Sequence, residues 1–259
     1  GMNVLAVDGP GQGTSNLRKI RVGPDNHERA TRACVDWLTK RPEVDAGRIG
    51  VMGISMGSYW SNRLAALDPR VKAIASSAAN YGTKKAIFEE ASPRFKQIFM
   101  YMSGIHDEAE FDRMAEQMHL FGYGEKVKCF SLMVLGEYDP LCHLEEGLAY
   151  FGEVAGPKEI WILENENHVP RPSRNFGGML ADPLVADWLK DALTGRKPAD
   201  LNRAVFVHDR TGAGGDAAPD RAGTTHARAG ESRSETGADP QPWARERSRA
   251  SRKTQLEGS

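Results

Sequence analysis

Apolar residues along the first 200 positions follow two patterns in turn. Short continuous apolar runs occur at residues 4–7, 48–52, 71–76, 130–135 and 159–163, each bounded by Gly, Pro or polar residues. Runs of this kind predict strands buried on both faces of a parallel sheet. Longer stretches with helical spacing lie between them. Residues 28–39 align Ala30, Ala33, Cys34, Trp37 and Leu38 on one face, and residues 58–67 are rich in small side chains. Residues 182–193 align Leu184, Val185, Trp188 and Leu189 before Gly195 ends the pattern. The alternation predicts the α/β class: a mostly parallel sheet with helices on both faces.

Two segments depart from this rhythm. Residues 83–127 read as a helical insert, with helices at about 84–102 and 107–121 and Gly104 between them. Phe88, Phe95, Phe99, Met100, Met102, Met114 and Met118 supply it with large, soft apolar groups. These groups predict either core packing against the sheet or a lid lining an acyl or aryl pocket. The second segment is the C-terminus. From Thr211 onward the only large apolar side chains are Trp243 and Leu256. Such a composition cannot bury enough surface to offset the entropy of ordering. The expected organisation is a catalytic domain over residues 1–201 and a disordered tail over residues 202–259.

The chain has 259 residues, 40% of them hydrophobic and 27% charged, enough for one α/β domain. Its formal net charge of −1 gives no electrostatic ground for a nucleic-acid or anionic-membrane partner. Acidic residues are mixed with the arginines of the tail, which argues against an RNA-binding arm. Cys34, Cys129 and Cys142 form no C-x-x-C pair, and no histidines have H-E-x-x-H spacing, so neither a metal nor a disulfide framework is expected. No signal-peptide pattern or 20-residue apolar stretch is present, and the reading is a cytoplasmic protein.

The strongest chemical motif is Gly53-Ile54-Ser55-Met56-Gly57, a G-x-S-x-G between a predicted strand and a predicted helix. This is the setting of a nucleophile elbow, where a strained turn lifts the serine hydroxyl above the sheet. Small flanking residues keep the turn clear of the adjoining strand and helix. The Met56 N–H then lies at a helix start, where it can stabilise an oxyanion. Two loops supply the partners. Asp139 follows the run at 130–135 in Gly136-Glu137-Tyr138-Asp139-Pro140, with Glu137 as a competing acid and an Asx turn as the plain structural role. His168 follows the run at 159–163, with His143 as the rival base. The order Ser55, Asp139, His168 suits a triad in which His168 takes the serine proton and Asp139 orients the imidazole.

The stretch Asp8-Gly9-Pro10-Gly11-Gln12-Gly13, taken with the elbow, Asp139 and His168, resembles the α/β-hydrolases. Within them it is similar to the branch of fermentation–respiration-switch esterase-like proteins and 2,6-dihydroxypseudooxynicotine hydrolase, over roughly residues 1–195. The resemblance implies a small-molecule substrate, no cofactor and a possible homodimer. It implies either ester hydrolysis or cleavage of a C–C bond beside a carbonyl in an aryl ketone. It also implies that the chain starts at the family's fourth strand, without the N-terminal cap, strands 1–3 and the loop with the second oxyanion donor. Three alternatives to an esterase therefore stand: a C–C hydrolase, an acylaminoacyl-type peptidase, and a truncated non-catalytic protein.

Overall fold

The computed structural model describes residues 1–78, 81–84, 86–168 and 173–209. Five strands form one sheet: β1 (Ile49–Ile54), β2 (Val71–Ser77), β3 (Phe130–Gly136), β4 (Lys158–Leu163) and β5 (Asn202–Val207). They lie in the order β1-β2-β3-β4-β5, and every neighbouring pair is parallel. Helices α1 (Gly13–Leu17), α2 (Asn26–Leu38), α3 (Met56–Leu67), α4 (Pro93–Ser103), α5 (Glu108–Ala115), α6 (Leu144–Glu153) and α7 (Asp182–Leu193) make the connections. Leu132, Met133, Leu135, Ile160, Ile162 and Leu163 of the central strands are fully buried, as apolar runs covered on both faces require. The two faces can be read on β1. Gly53 abuts Gly57 and Ser61 of α3, whereas Gly50, three residues earlier and on the opposite face, abuts Leu189 and Leu193 of α7. Among the described residues, no helix is long and apolar enough to cross a membrane.

Four expectations need correction. The predicted strand at residues 4–7 does not form. Val4 is 86% exposed, and none of the five strands pairs with the segment. Apolar content alone cannot make a strand, because its backbone groups need a partner ladder. Conversely, a strand forms inside the segment assigned to the disordered tail. β5 pairs with β4 from Lys158↔Asn202 to Leu163↔Val207 and buries Val205 and Val207. The polar composition of the later residues masked this short run; residues 210–259 lie outside those described.

The third correction concerns α2. Its exposed side carries Trp37, which the Arg41 guanidinium covers at 4.6 Å, and its buried side carries His27, Glu28 and Val35. Glu28 pairs with the buried Arg63 of α3, and the His27 ring stacks on Trp60 with centroids 3.9 Å apart. Apolar periodicity does not register a face docked through an ion pair and an imidazole.

The insert also differs in its breaks. Pro93 has no N–H to continue a helix, so a single wide turn at Ala86–Glu90 is separated from α4, which Gly104 ends at φ +72°. Phe88 packs against Phe99 and Phe111 at centroid distances of 5.0 and 5.1 Å, and Met114 and Met118 are buried. These five side chains take the core role. Phe95, Met100 and Met102 are partly buried against the same core.

A buried carboxylate fastens the far edge of the sheet. Glu159 of β4 is fully buried and accepts hydrogen bonds from Trp161 Nε1 (2.8 Å), Trp188 Nε1 (2.9 Å) and the Arg203 guanidinium (2.6 Å). Burial pushes this carboxyl up, but the two indole N–H groups and Arg203 outweigh it and hold it below the ordinary value. The cluster ties α7 and β5 to β4. Glu159→Ala strands two indole donors and a guanidinium, so urea unfolding should show a loss of about 3–5 kcal/mol.

His27 gives a pH signature. Burial pulls its imidazole down to about 4, below the 6.5 of an exposed histidine, against a smaller upward pull from its backbone. The folded state therefore resists protonation that the unfolded chain accepts. Its stability contribution is complete above about 6.5 and is lost as pH falls toward 4. His27→Phe keeps the stack on Trp60 and removes this titration. Between pH 6.5 and 4 the wild type should lose more stability than the variant, by on the order of 3 kcal/mol in urea titrations. Parallel losses would overturn the assignment.

Candidate active site

Ser55 sits between β1 and α3 at φ 54°, ψ −121°, a strained conformation for a residue with a Cβ. The turn is pinned from below. The Ser55 N–H donates to Ser77 O at 2.8 Å, and Ser58 Oγ lies 2.6 Å from Gly53 O and 2.8 Å from Ser77 O. A Cβ on Gly53 would overlap the Gly57 carbonyl, so this position admits only glycine. Gly57 is different: a Cβ there would meet open space, so the expected clash holds for one of the two flanking glycines. The Met56 N–H lies in the first turn of α3, where helix donors lack intrahelical acceptors, and Ser55 offers no side-chain cap.

The two partner loops leave the same edge of the sheet. Asp139, three residues beyond β3, is buried, and its Oδ1 accepts the N–H groups of Leu141 (2.8 Å) and Cys142 (3.1 Å). The Asx turn and the orienting position are thus one geometry in which each oxygen of the carboxylate has its own task. Oδ2 faces His168 Nδ1 at 2.8 Å, and His168 Nε2 lies 2.9 Å from Ser55 Oγ. The His168 side chain is 23% exposed and that of Asp139 is wholly buried. The hydroxyl thus faces a ring held from behind by a dry carboxylate, the layout for proton removal from serine.

The competing groups lie elsewhere. Glu137 Oε2 accepts the Asn165 N–H at 3.2 Å, which binds it to the histidine loop rather than the imidazole. His143 precedes α6 as its N-terminal flank. His27 stacks on Trp60 and His119 on Phe121.

The spacing of motifs does not reveal several other contributors. The Leu141 and Cys142 amides hold Asp139, and Cys142 Sγ donates to Ala78 O at 2.8 Å. Ala78, directly after β2, has φ +55°. Lys84 is buried with its Nζ 3.8 Å from the Tyr59 ring centroid, and burial pulls it down to about 7 against the upward influence of Cys142 and Glu146. Gly136 lets the two loops meet, because a Cβ there would overlap the carbonyl of Asn167, next to His168. Gly136→Ala should push the histidine loop outward and slow phosphonylation of Ser55 by about 10²-fold, with the far-ultraviolet spectrum unchanged.

The chain is similar to several known proteins. The X-Pro dipeptidyl-peptidase (S15 family) model matches residues 1–102. The chain is 41% identical over 210 residues to 2,6-dihydropseudooxynicotine hydrolase of Paenarthrobacter nicotinovorans, covering 76% of this chain and 52% of the relative. It is 31% identical over 208 residues to hydrolase acrC of Aspergillus aculeatus, covering 62% and 47%. The chain thus spans about half the length of these curated relatives. Among solved structures, that of 2,6-dihydroxy-pseudo-oxynicotine hydrolase superposes with a TM-score of 0.65 at 24% identity, over 76% of this chain and 54% of the other. Acetyl xylan esterase 1 from Thermoanaerobacterium sp. JW/SL YS485 superposes with a TM-score of 0.50, over 64% and 52%. With its parallel sheet, its strand–turn–helix at Ser55 and these relatives, the chain belongs to the α/β-hydrolase superfamily.

Proposed function

We propose that this chain carries the catalytic centre of a serine hydrolase that acts on an ester or an activated carbonyl compound. The supporting observation is the continuous contact from Asp139 Oδ2 through His168 to Ser55 Oγ, at 2.8 and 2.9 Å. In this reading Ser55 Oγ attacks the carbonyl carbon as its proton passes to His168 Nε2. The Asp139 carboxylate stabilises the resulting imidazolium and keeps its Nδ1–H in place. The Met56 N–H receives the oxyanion, where removal of a single donor costs about 10²–10³ in turnover. His168 then protonates the leaving group. A water activated by the same ring releases the acyl group from Ser55.

The similarity to 2,6-dihydropseudooxynicotine hydrolase favours a second reading. The same groups would cleave a C–C bond next to the carbonyl of an aryl ketone. The two readings differ in products. An aryl diketone incubated with the protein yields an acid and a ketone if the C–C bond is cut, whereas turnover of simple esters alone would exclude that reading.

A fluorophosphonate probe should label the folded chain at Ser55, and Ser55→Ala should abolish labelling. Asp139→Asn, which disturbs the tautomer but not the shape, should slow it by about 10³–10⁴-fold. A folded sample that resists the probe would overturn the proposal in favour of a non-catalytic protein.

A further inference from the structure

Cys142 stands behind the proposed base and has no part in the proton transfer. Its Sγ lies 3.8 Å from His168 Nδ1, the ring nitrogen turned away from Ser55. Asp139, Cys142 and His168 each offer one ligand atom, and these atoms all lie within 4.8 Å of one another. Thiol, imidazole and carboxylate together suit Zn²⁺ and softer cations of the same group, and disfavour Mg²⁺ and Ca²⁺, which take oxygen ligands. Distances agree with that choice. Zinc bonds of about 2.0–2.3 Å at tetrahedral angles place neighbouring donors about 3.2–3.6 Å apart. The sulfur–nitrogen distance of 3.8 Å and the nitrogen–oxygen distance of 2.8 Å fall on either side of this, and the sulfur–oxygen pair lies within 4.8 Å, so the donors need to move by no more than about 1.2 Å to complete the site. Charge agrees as well. A thiolate and a carboxylate neutralise a divalent ion, so that no net charge is buried.

We propose that Asp139, Cys142 and His168 form an inhibitory site for Zn²⁺ and Cd²⁺, in which the ion takes His168 Nδ1 and disables the ring as a base. The ion enters beside the partly exposed His168 and is a regulator rather than a cofactor. Each metal ion binds through the Nδ1 lone pair, the Cys142 sulfur and an Asp139 oxygen. The Cys142 S–H proton leaves to solvent, and its hydrogen bond to Ala78 O is lost. The imidazole proton moves from Nδ1 to Nε2, so the ring stays neutral. Nε2–H then points at Ser55 Oγ and cannot accept its proton. The inhibitory effect rests on the serine-hydrolase reading; metal binding does not.

Two measurements on the full chain separate these claims. The first is titration of metal-free protein with Cd²⁺, followed by the ultraviolet charge-transfer band of a cadmium–thiolate bond. One equivalent should saturate the band. The band should survive Cys34→Ser/Cys129→Ser and disappear in Cys142→Ser, which keeps a donor for Ala78 O. X-ray absorption of the zinc-loaded wild type should show one sulfur among nitrogen and oxygen ligands, a result independent of how the variant folds. The second is fluorophosphonate labelling with and without Zn²⁺. Zinc should suppress labelling of the wild type, and Cys142→Ser should need at least about tenfold more zinc for half-suppression. A missing cadmium band, a band unchanged in Cys142→Ser, a zinc shell without sulfur, or equal zinc sensitivity of the two proteins would overturn the metal site. Failure of the metal-free wild type to label would instead overturn the hydrolase reading, with the cadmium titration still deciding whether the ion binds.

Discussion

All five strands run parallel, and this direction is the constraint from which the candidate site follows. In a parallel sheet every strand delivers its C-terminal end to the same edge, and the connections return behind the sheet. The pairings Ile54↔Ser77, Ser77↔Val134 and Gly136↔Leu163 bring the ends of β1, β2, β3 and β4 level. Ser55, Asp139 and His168 each follow one of these ends by five residues or fewer. Their approach to within hydrogen-bond distance is therefore a consequence of register. A slip by one residue would turn the inward side chains outward and separate the loops.

Polar groups buried in the body of the fold carry the work that hydrophobic patterning leaves undone. The Glu28–Arg63 pair and the His27–Trp60 stack dock α2 on α3, the helix that starts at Ser55. Glu159, with its two indoles and Arg203, fixes α7 and β5 on β4, the strand whose following loop bears His168. Both groups are costly to bury alone and tolerable only with their partners in place. They therefore specify which helix packs where, while the aliphatic residues supply the driving force for burial.

The Asp139 turn shows how one short segment can serve several demands. Two amides hold one carboxylate oxygen, which leaves the other free for the imidazole. The second of those amides belongs to Cys142, whose side chain fills the space between Ala78 and His168. The backbone task places the thiol beside the ring as a geometric by-product. The sensitivity to soft cations inferred above arises from that placement.

Much of this was legible in the linear order of residues. Four of the five predicted strands, α3, α7 and the parallel α/β class follow from short apolar runs and helical spacing, which are local properties. The choice of Ser55, Asp139 and His168 as candidates was legible too, because G-x-S-x-G needs a strand before it and a helix after it, and loop positions can be counted. Tertiary structure alone decided the rest. Residues 4–7 have strand composition but pair with none of the five strands among the described residues, whereas residues 202–207 pair with β4 despite the polar sequence that follows them. Glu137 and Asp139 compete in the chain, where only its position before Pro140 favours Asp139, and it is the path of the loop that sends Glu137 to Asn165 and Asp139 to His168. The proximity of Cys142 to His168, across 26 residues, has no signature in spacing. A sequence lists which groups are available, but pairing, burial and distance arise between segments, and these set which group meets which.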